Sequence, residues 1–288
     1  MRHICGISGG KDSSALAVYL KDEIPDMEYF FCDTGAELPE TYEYLSRLEI
    51  ILGKPIARLN SERGFDYWFK VFRGALPSPQ MRWCTREMKI KPIEQWIGDE
   101  PATSYVAIRA DEANRKGYMS TKGNIETKFP FIDAGIDHDG VMKILDDAGI
   151  GLPTYYEWRT RSGCYFCFYQ RKAEWVGLAE RHPELFEKAV AIEQKVLLDA
   201  GVDGDADFTA YAMKDRQYTW SGNETLVELI GRKDQIIENH EKSKLRATQK
   251  RPNRPLFEIL GAALDDDDDS DDDDGETDGY GGDPDASI

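Results

Sequence analysis

No apolar run in this 288-residue chain approaches the roughly 18 residues that a membrane-spanning helix needs. A secretory h-region is missing too, because the polar stretch Ser8–Ser14 interrupts the only apolar start. The expected setting is therefore cytoplasmic, with no membrane partner. Cysteine is scarce and odd in number: Cys5, Cys32, Cys84, Cys164 and Cys167, with none after residue 167. Without a leader, that usage points to cytosolic thiols or ligands rather than a disulfide framework. Two phosphate-binding signatures are also lacking, the Walker A pattern G-x-x-x-x-G-K-[ST] and the fingerprint G-x-G-x-x-G. Their absence argues against a P-loop NTPase and against a nicotinamide cofactor. No internal repeat is present.

Basic residues are missing from the acidic C-terminal segment. Asp265–Ile288 holds twelve Asp and one Glu with no Lys or Arg, so it supplies −13 of the formal −18. The rest of the chain, with 36 basic and 41 acidic side chains, is near balance. The tail has almost nothing apolar to bury and repels itself, so disorder is expected. It reads as a solubilising tail, as a polyanion competing with nucleic acid for the basic stretch upstream, or as a partner of that stretch. The stretch KSKLRATQKRPNRP carries six Lys or Arg between Lys242 and Arg254, a candidate nucleic-acid contact.

What is present alternates strand and helix. Ile4–Ile7, Tyr29–Cys32, Pro55–Leu59 and Tyr105–Ile108 read as short buried strands, and Ser14–Leu20 and Glu40–Leu52 as amphipathic helices between them. This order predicts an α/β fold, a parallel sheet flanked by helices. From about Asp137 the strand signals stop, and Val141–Ala148, Ala173–Glu180 and Pro183–Asp199 read as helices. The expected organisation is a nucleotide-binding α/β core over 1–135, a helical module over 136–240, a basic segment over 241–264 and the acidic tail over 265–288.

The stretch SGGKDSS at Ser8–Ser14 lies where a strand feeds a helix. A glycine-rich turn there aims backbone N–H groups and the positive helix end at one point. Gly9 and Gly10 let the backbone approach an anion, Lys11 adds a charge, and Asp12 and Ser13 suit a helix start. Such a turn alone is either an anion cradle or simply a turn.

The residues resemble something narrower. SGGKDS after an N-terminal strand is similar to the PP-loop of ATP pyrophosphatases. CDTGAELPETYEYL at Cys32–Leu45, RWCTREMKIKPIEQWI at Arg82–Ile97 and AIRADEANR at Ala107–Arg115 resemble segments of the phosphoadenosine phosphosulfate (PAPS) reductase family. FPFIDAGI and SGCYFCFYQRKAEWVGLAERHPELFEKA complete six motifs in the family's order, over roughly Ile4–Glu193. The resemblance implies an adenine-nucleotide alpha-hydrolase-like, Rossmann-like sheet and ATP cleaved between its α and β phosphates. Two departures weigh against sulfonucleotide reduction. The family's reductases are expected to carry a late nucleophilic cysteine, and the adenosine phosphosulfate type has paired cysteines where this chain reads Cys84–Thr85. The resemblance then implies an enzyme that adenylates a substrate, releases pyrophosphate and transfers sulfur, with nucleic acid as one acceptor and a donor protein or sulfide as the sulfur source. The alternatives are a nucleotide-binding component of a DNA-modification or defence assembly, and a sulfonucleotide reductase.

Within that reading Ser8, Gly9, Gly10, Lys11, Asp12 and Ser13 cradle the leaving pyrophosphate. Asp12 or Asp33 holds Mg²⁺, Thr34 and Gly35 approach the adenosine, and Arg109 and Arg115 take the α-phosphate or a substrate anion. Read without the resemblance, Asp33 is a loop-capping carboxylate and the two arginines are surface ion pairs with Asp111 and Glu112. Cys84, Cys164 and Cys167 are three thiols suited to a [4Fe–4S] cluster or zinc. His182 is either a fourth zinc ligand or a helix-capping residue before Pro183. Cys5 and Cys32 read as small core residues.

Overall fold

The computed structural model describes residues 1–115, 122–199, 219–222 and 224–250. Five parallel strands form one sheet: β1 (Arg2–Gly6), β2 (Glu28–Cys32), β3 (Ile56–Leu59), β4 (Ala102–Tyr105) and β5 (Ile125–Lys128), in the order β3-β2-β1-β4-β5. Ile4 pairs with Glu28 on one side and Ser104 on the other, so β1 is central. Ile4 and Cys5 are both fully buried, as a strand covered on both faces requires. The Cys5 and Cys32 thiols, expected in the core, are pushed by burial up to about 12.

Helices α1 (Lys11–Leu20) and α2 (Pro39–Leu52) cover the sheet as the sequence predicts. α2 begins with Pro39, whose missing N–H costs nothing in a first turn. It buries Thr41, Tyr44, Leu45, Leu48 and Leu52 at helical spacing, and stops at Gly53, where φ is +63°. α3 (Phe65–Val71) and the short α4 (Trp83–Thr85) follow. A π-helical turn, Arg86–Ile90, joins α4 to α5 (Lys91–Ile97). After α6 (Pro130–Asp133), α7 (His138–Asp147) is capped by the Asp137 side chain, which accepts from Gly140 N–H at 3.0 Å. Val141 and Leu145 of α7 pack into the sheet's own core with Leu16 and Phe131.

One strand differs from expectation. β4 ends at Tyr105, so the predicted Tyr105–Ile108 is mostly the loop beyond it, while the small residues Ala102–Ser104 form the strand. Apolar patterning missed them because Thr103 and Ser104 pair between β1 and β5, where the ladder rather than side-chain hydrophobicity fixes them. β5, alternating half-buried and exposed, escaped for the same reason.

Helices α8 (Lys172–Arg181) and α9 (Pro183–Asp199) and two later helices, Leu226–Gly231 and Lys233–Lys250, form the helical part. They share a core with the α/β part: Trp175, Trp220 and Phe166 cluster with Phe65 and Trp83. The last helix runs through residue 241, where the sequence suggested a boundary, and carries Lys242, Lys244 and Arg246. Residues 251–264 of the basic segment and the whole acidic tail lie outside the described residues. No described helix is long and apolar enough to cross a membrane.

Glu193, 1% exposed, pins this part together: its two carboxylate oxygens accept from Trp220 N–H at 2.9 Å and Leu226 N–H at 2.8 Å. Glu193→Ala leaves two buried donors unpaired and should lower the unfolding free energy by on the order of 3 kcal/mol, read from urea titrations.

Candidate functional site

In a sheet ordered 3-2-1-4-5, the chain leaves β1 and β4 toward opposite sides, and a crevice opens beyond their carboxyl ends. A cavity of about 310 Å³ lies there. Ser8, Gly10, Lys11, Asp12 and Ser13 line it, together with Arg109 and Arg115 and with Thr34, Cys84, Cys164 and Cys167. Gly9, Asp33 and Gly35 stand outside this lining.

The loop's shape follows from its residues. Gly9 has φ +80°, and a Cβ there would stand 2.6 Å from Thr41 Cγ2 on α2, so only glycine fits. Gly10 enters α1 with its carbonyl accepting from the Ser14 hydroxyl at 2.8 Å. Lys11, the first residue of α1, is 6% exposed, and its ammonium lies 3.8 Å from Asp12 Oδ2. The loop is braced by the segment between α7 and α8. The Tyr155 hydroxyl donates to the Gly9 carbonyl at 2.7 Å, and Ser162 Oγ donates to Ser8 Oγ at 3.1 Å.

Arg109 is not a surface ion pair. Only 4% exposed, its guanidinium meets Asp12 at 3.4 Å, Asp111 at 3.0 Å and Glu112 at 3.0 Å. Arg115 meets Glu112 at 2.7 Å. The result is a buried cation tied to the first turn of α1. Partial burial pushes the Asp111 carboxyl up, but the Arg109 guanidinium outweighs it and holds the group below its ordinary range. Asp33 follows the capping alternative: its Oδ1 accepts from Gly35 N–H at 2.9 Å and from the Tyr42 hydroxyl at 2.8 Å. Asp12 is therefore the candidate Mg²⁺ carboxylate that faces the cavity.

The thiol side holds residues that patterning did not single out. Cys164 Sγ lies 3.1 Å from the Thr34 hydroxyl and 3.6 Å from Glu37 Oε1, and Glu37 is itself buried. Burial pushes the Cys164 thiol far up, and the Glu37 carboxylate adds to the effect. Lys89, on the π-helical turn, faces the same group. Burial alone would lower its ammonium, but Cys164, Glu37, Cys32 and Cys167 together hold it above the usual lysine range. Arg82 and Arg161 stack on Tyr169, their guanidinium carbons 5.6 and 5.0 Å from its ring centre. The odd placement of Lys89 and Glu37 inside motif segments was the only available signal.

The cysteines suit a cluster or zinc in kind but not in arrangement. Among the described residues, no group of three or more His, Cys, Asp or Glu converges to hold a metal ion. His182, the alternative fourth ligand, has a carboxylate partner instead. It pairs with Glu40 at 2.8 Å where α8 meets α9.

Residues 2–144 match the sequence profile of the phosphoadenosine phosphosulfate reductase domain. An uncharacterized protein of Methanocaldococcus jannaschii is 27% identical over 203 residues, 64% of this chain and 46% of that one. The tRNA-specific 2-thiouridylase MnmA of Limosilactobacillus fermentum is 27% identical over 165 residues, 50% of this chain and 43% of that one. The chain thus spans less than half the length of either relative. Among solved structures, the phosphoadenylyl-sulfate reductase from Candida auris is similar at 11% identity, with a TM-score of 0.45 over 55% of this chain and 77% of that one.

Proposed function

The chain belongs to the phosphoadenosine phosphosulfate reductase domain family, and from that membership we propose that it binds ATP at Ser8–Ser13, adenylates a substrate and passes sulfur to it. One observation carries the reading: the glycine loop with its buried Lys11 opens at the crevice between β1 and β4, and three thiols line the same cavity. A substrate oxygen attacks the α-phosphorus, the bond from that phosphorus to the bridging oxygen breaks, and pyrophosphate leaves. Charge grows on the leaving group as the bond breaks, so the Lys11 ammonium and the first-turn N–H groups stabilise the transition state more than bound ATP. Arg109 holds the α-phosphate side. Asp12 is the residue to hold Mg²⁺, which neutralises phosphate charge when bound.

The likeness to a tRNA thiouridylase supports sulfur delivery to a nucleic acid, with the donor a sulfide or a partner protein. The expected result is ATP-dependent exchange of labelled pyrophosphate into ATP. Absence of both exchange and ATP binding would sink the reading, and sulfite release from PAPS with thioredoxin would replace it by reduction. A metal on Cys84, Cys164 and Cys167 requires these thiols to converge further; iron, sulfide and zinc analysis of protein purified without oxygen tests it.

A second reading, a nucleic-acid-binding component of a DNA-modification or defence assembly, is favoured by Lys242, Lys244 and Arg246 on the last helix. It predicts binding that weakens steeply with salt and is lost when the six basic residues of Lys242–Arg254 are neutralised. Binding indifferent to those changes would refute it.

A further inference from the structure

Backbone donors of the phosphate loop are already engaged by hydroxyl groups of this same chain. Ser8 N–H donates to Ser13 Oγ at 3.0 Å, Gly10 N–H to Ser8 Oγ at 3.3 Å, and Lys11 N–H to the Tyr156 hydroxyl at 3.1 Å. Lys11 N–H belongs to the first turn of α1, where a helix offers unpaired donors to an anion. A phosphate oxygen and the Tyr156 hydroxyl cannot both take it in the same place. Ser162 Oγ, 3.1 Å from Ser8 Oγ, crowds the loop from the same direction, since a Cβ on Gly10 would stand only 2.9 Å from it.

Tyr156 and Ser162 also lead to the thiols. Ser162 is two residues from Cys164. Arg159, 1% exposed, donates to the carbonyls of Gly163 and Cys164 at 2.9 Å each. Gly163 has φ +148°, a conformation that favours glycine, and lies in ordinary contact range of Arg159 and Cys167. The turn from Tyr156 to Cys164 is therefore braced from inside and leaves little slack to absorb a shift of Ser162.

We infer that Tyr156 is a positioning residue that competes with bound phosphate for Lys11 N–H, and that Ser162, donating to Ser8 Oγ, ties the loop to the thiol turn, so that phosphate binding is coupled to the exposure of Cys164. This rests on Ser8–Ser13 being the pyrophosphate cradle. Coupling between two sites is reciprocal: whatever factor pyrophosphate imposes on Cys164, a modified Cys164 imposes on pyrophosphate affinity.

The test uses the full chain and inorganic pyrophosphate. Calorimetry gives its affinity, and iodoacetamide pulses with fragment-ion mapping of the Cys164 peptide give the alkylation rate. In the unmodified sequence, saturating pyrophosphate should change the Cys164 rate by about fivefold or more, a coupling of ordinary allosteric size. Tyr156→Phe combined with Ser162→Ala should bind pyrophosphate about three- to tenfold tighter, the gain from removing the Tyr156 hydroxyl that competes for Lys11 N–H, while loss of the Ser162 tether uncouples the thiol turn. In that variant the Cys164 rate should no longer respond to pyrophosphate. Tyr155→Phe is the control, because its hydroxyl donates to a carbonyl and occupies no phosphate donor, so it should not tighten binding. An unchanged or weaker affinity in the double variant, with the Cys164 response intact, would overturn the inference while leaving the cradle standing. If pyrophosphate fails to bind both the unmodified chain and the double variant, the cradle reading falls and the inference falls with it.

Discussion

Lys11→Ala should cut ATP–pyrophosphate exchange by on the order of 10³-fold while the protein stays folded. The size follows from where the ammonium sits. It is 6% exposed at the start of α1, on the wall of a cavity, with Asp12 Oδ2 at 3.8 Å and the Tyr156 ring centre at 5.8 Å. Low exposure weakens solvent screening, so a charge aimed at developing negative charge there acts more strongly than in water. The effect should fall mainly on turnover, because the interaction strengthens as pyrophosphate separates; loss of ATP affinity should be smaller. Stability should change little. Asp12 keeps Arg109 at 3.4 Å after the lysine is gone, so its carboxylate still has a cation beside it. Lys11→Arg should not restore the rate, since a planar fork cannot stand in for a compact ammonium in that space. Exchange within tenfold of the unmodified protein, with unchanged thermal unfolding, would remove Lys11 from the chemistry.

The sheet and the loop were legible because their residues have local reasons to be where they are. YFFC in β2 is buried whatever its neighbours do, and Gly9 is required by a positive φ and by Thr41. β4 and β5 were not legible, because Thr103 and Ser104 are strand only through pairing with β1 and β5. In the site, the divide falls the same way. Lys11, Asp12, Arg109 and the three cysteines could be picked out by type and motif. Their mutual geometry could not: Arg109 reads as a surface residue beside two acids, and only its burial against α1 makes it a link between loop and β4. Asp33 carries both readings in the sequence, metal ligand by motif position and loop cap by type, and the bond from Tyr42, nine residues on, is a contact that no local pattern marks. Tyr156 and Ser162 lie about 150 residues from the loop they touch, and no local pattern marks such a contact.

Arg109→Met should damage both ATP binding and stability. It removes the cation that joins Asp12, Asp111 and Glu112, and leaves the Asp12 and Glu112 carboxylates on the cavity wall without it, where the proposed function puts phosphate. ATP affinity should fall by about 10²-fold, from one lost charge-assisted contact and from added repulsion. Unfolding free energy should drop by about 2–3 kcal/mol, less than the roughly 3–5 kcal/mol of a fully buried pair because the carboxylates stay 24–43% exposed. Arg109→Lys should recover part of the stability but little of the affinity, because an ammonium cannot span the same three acceptors. A pH signature separates this from general damage. Asp111 is held below its ordinary range in the folded protein, so its contribution to stability is present above about pH 4, the unfolded value, and is lost as pH falls through the folded one. The methionine variant lacks that contribution. The stability gap between the two proteins should therefore be widest near neutrality and narrow in acid, in urea titrations from pH 7 down to 3. A gap that stays constant over that range would mean Arg109 stabilises the loop by packing alone, and that its charge has no part in ordering the phosphate side of the cavity.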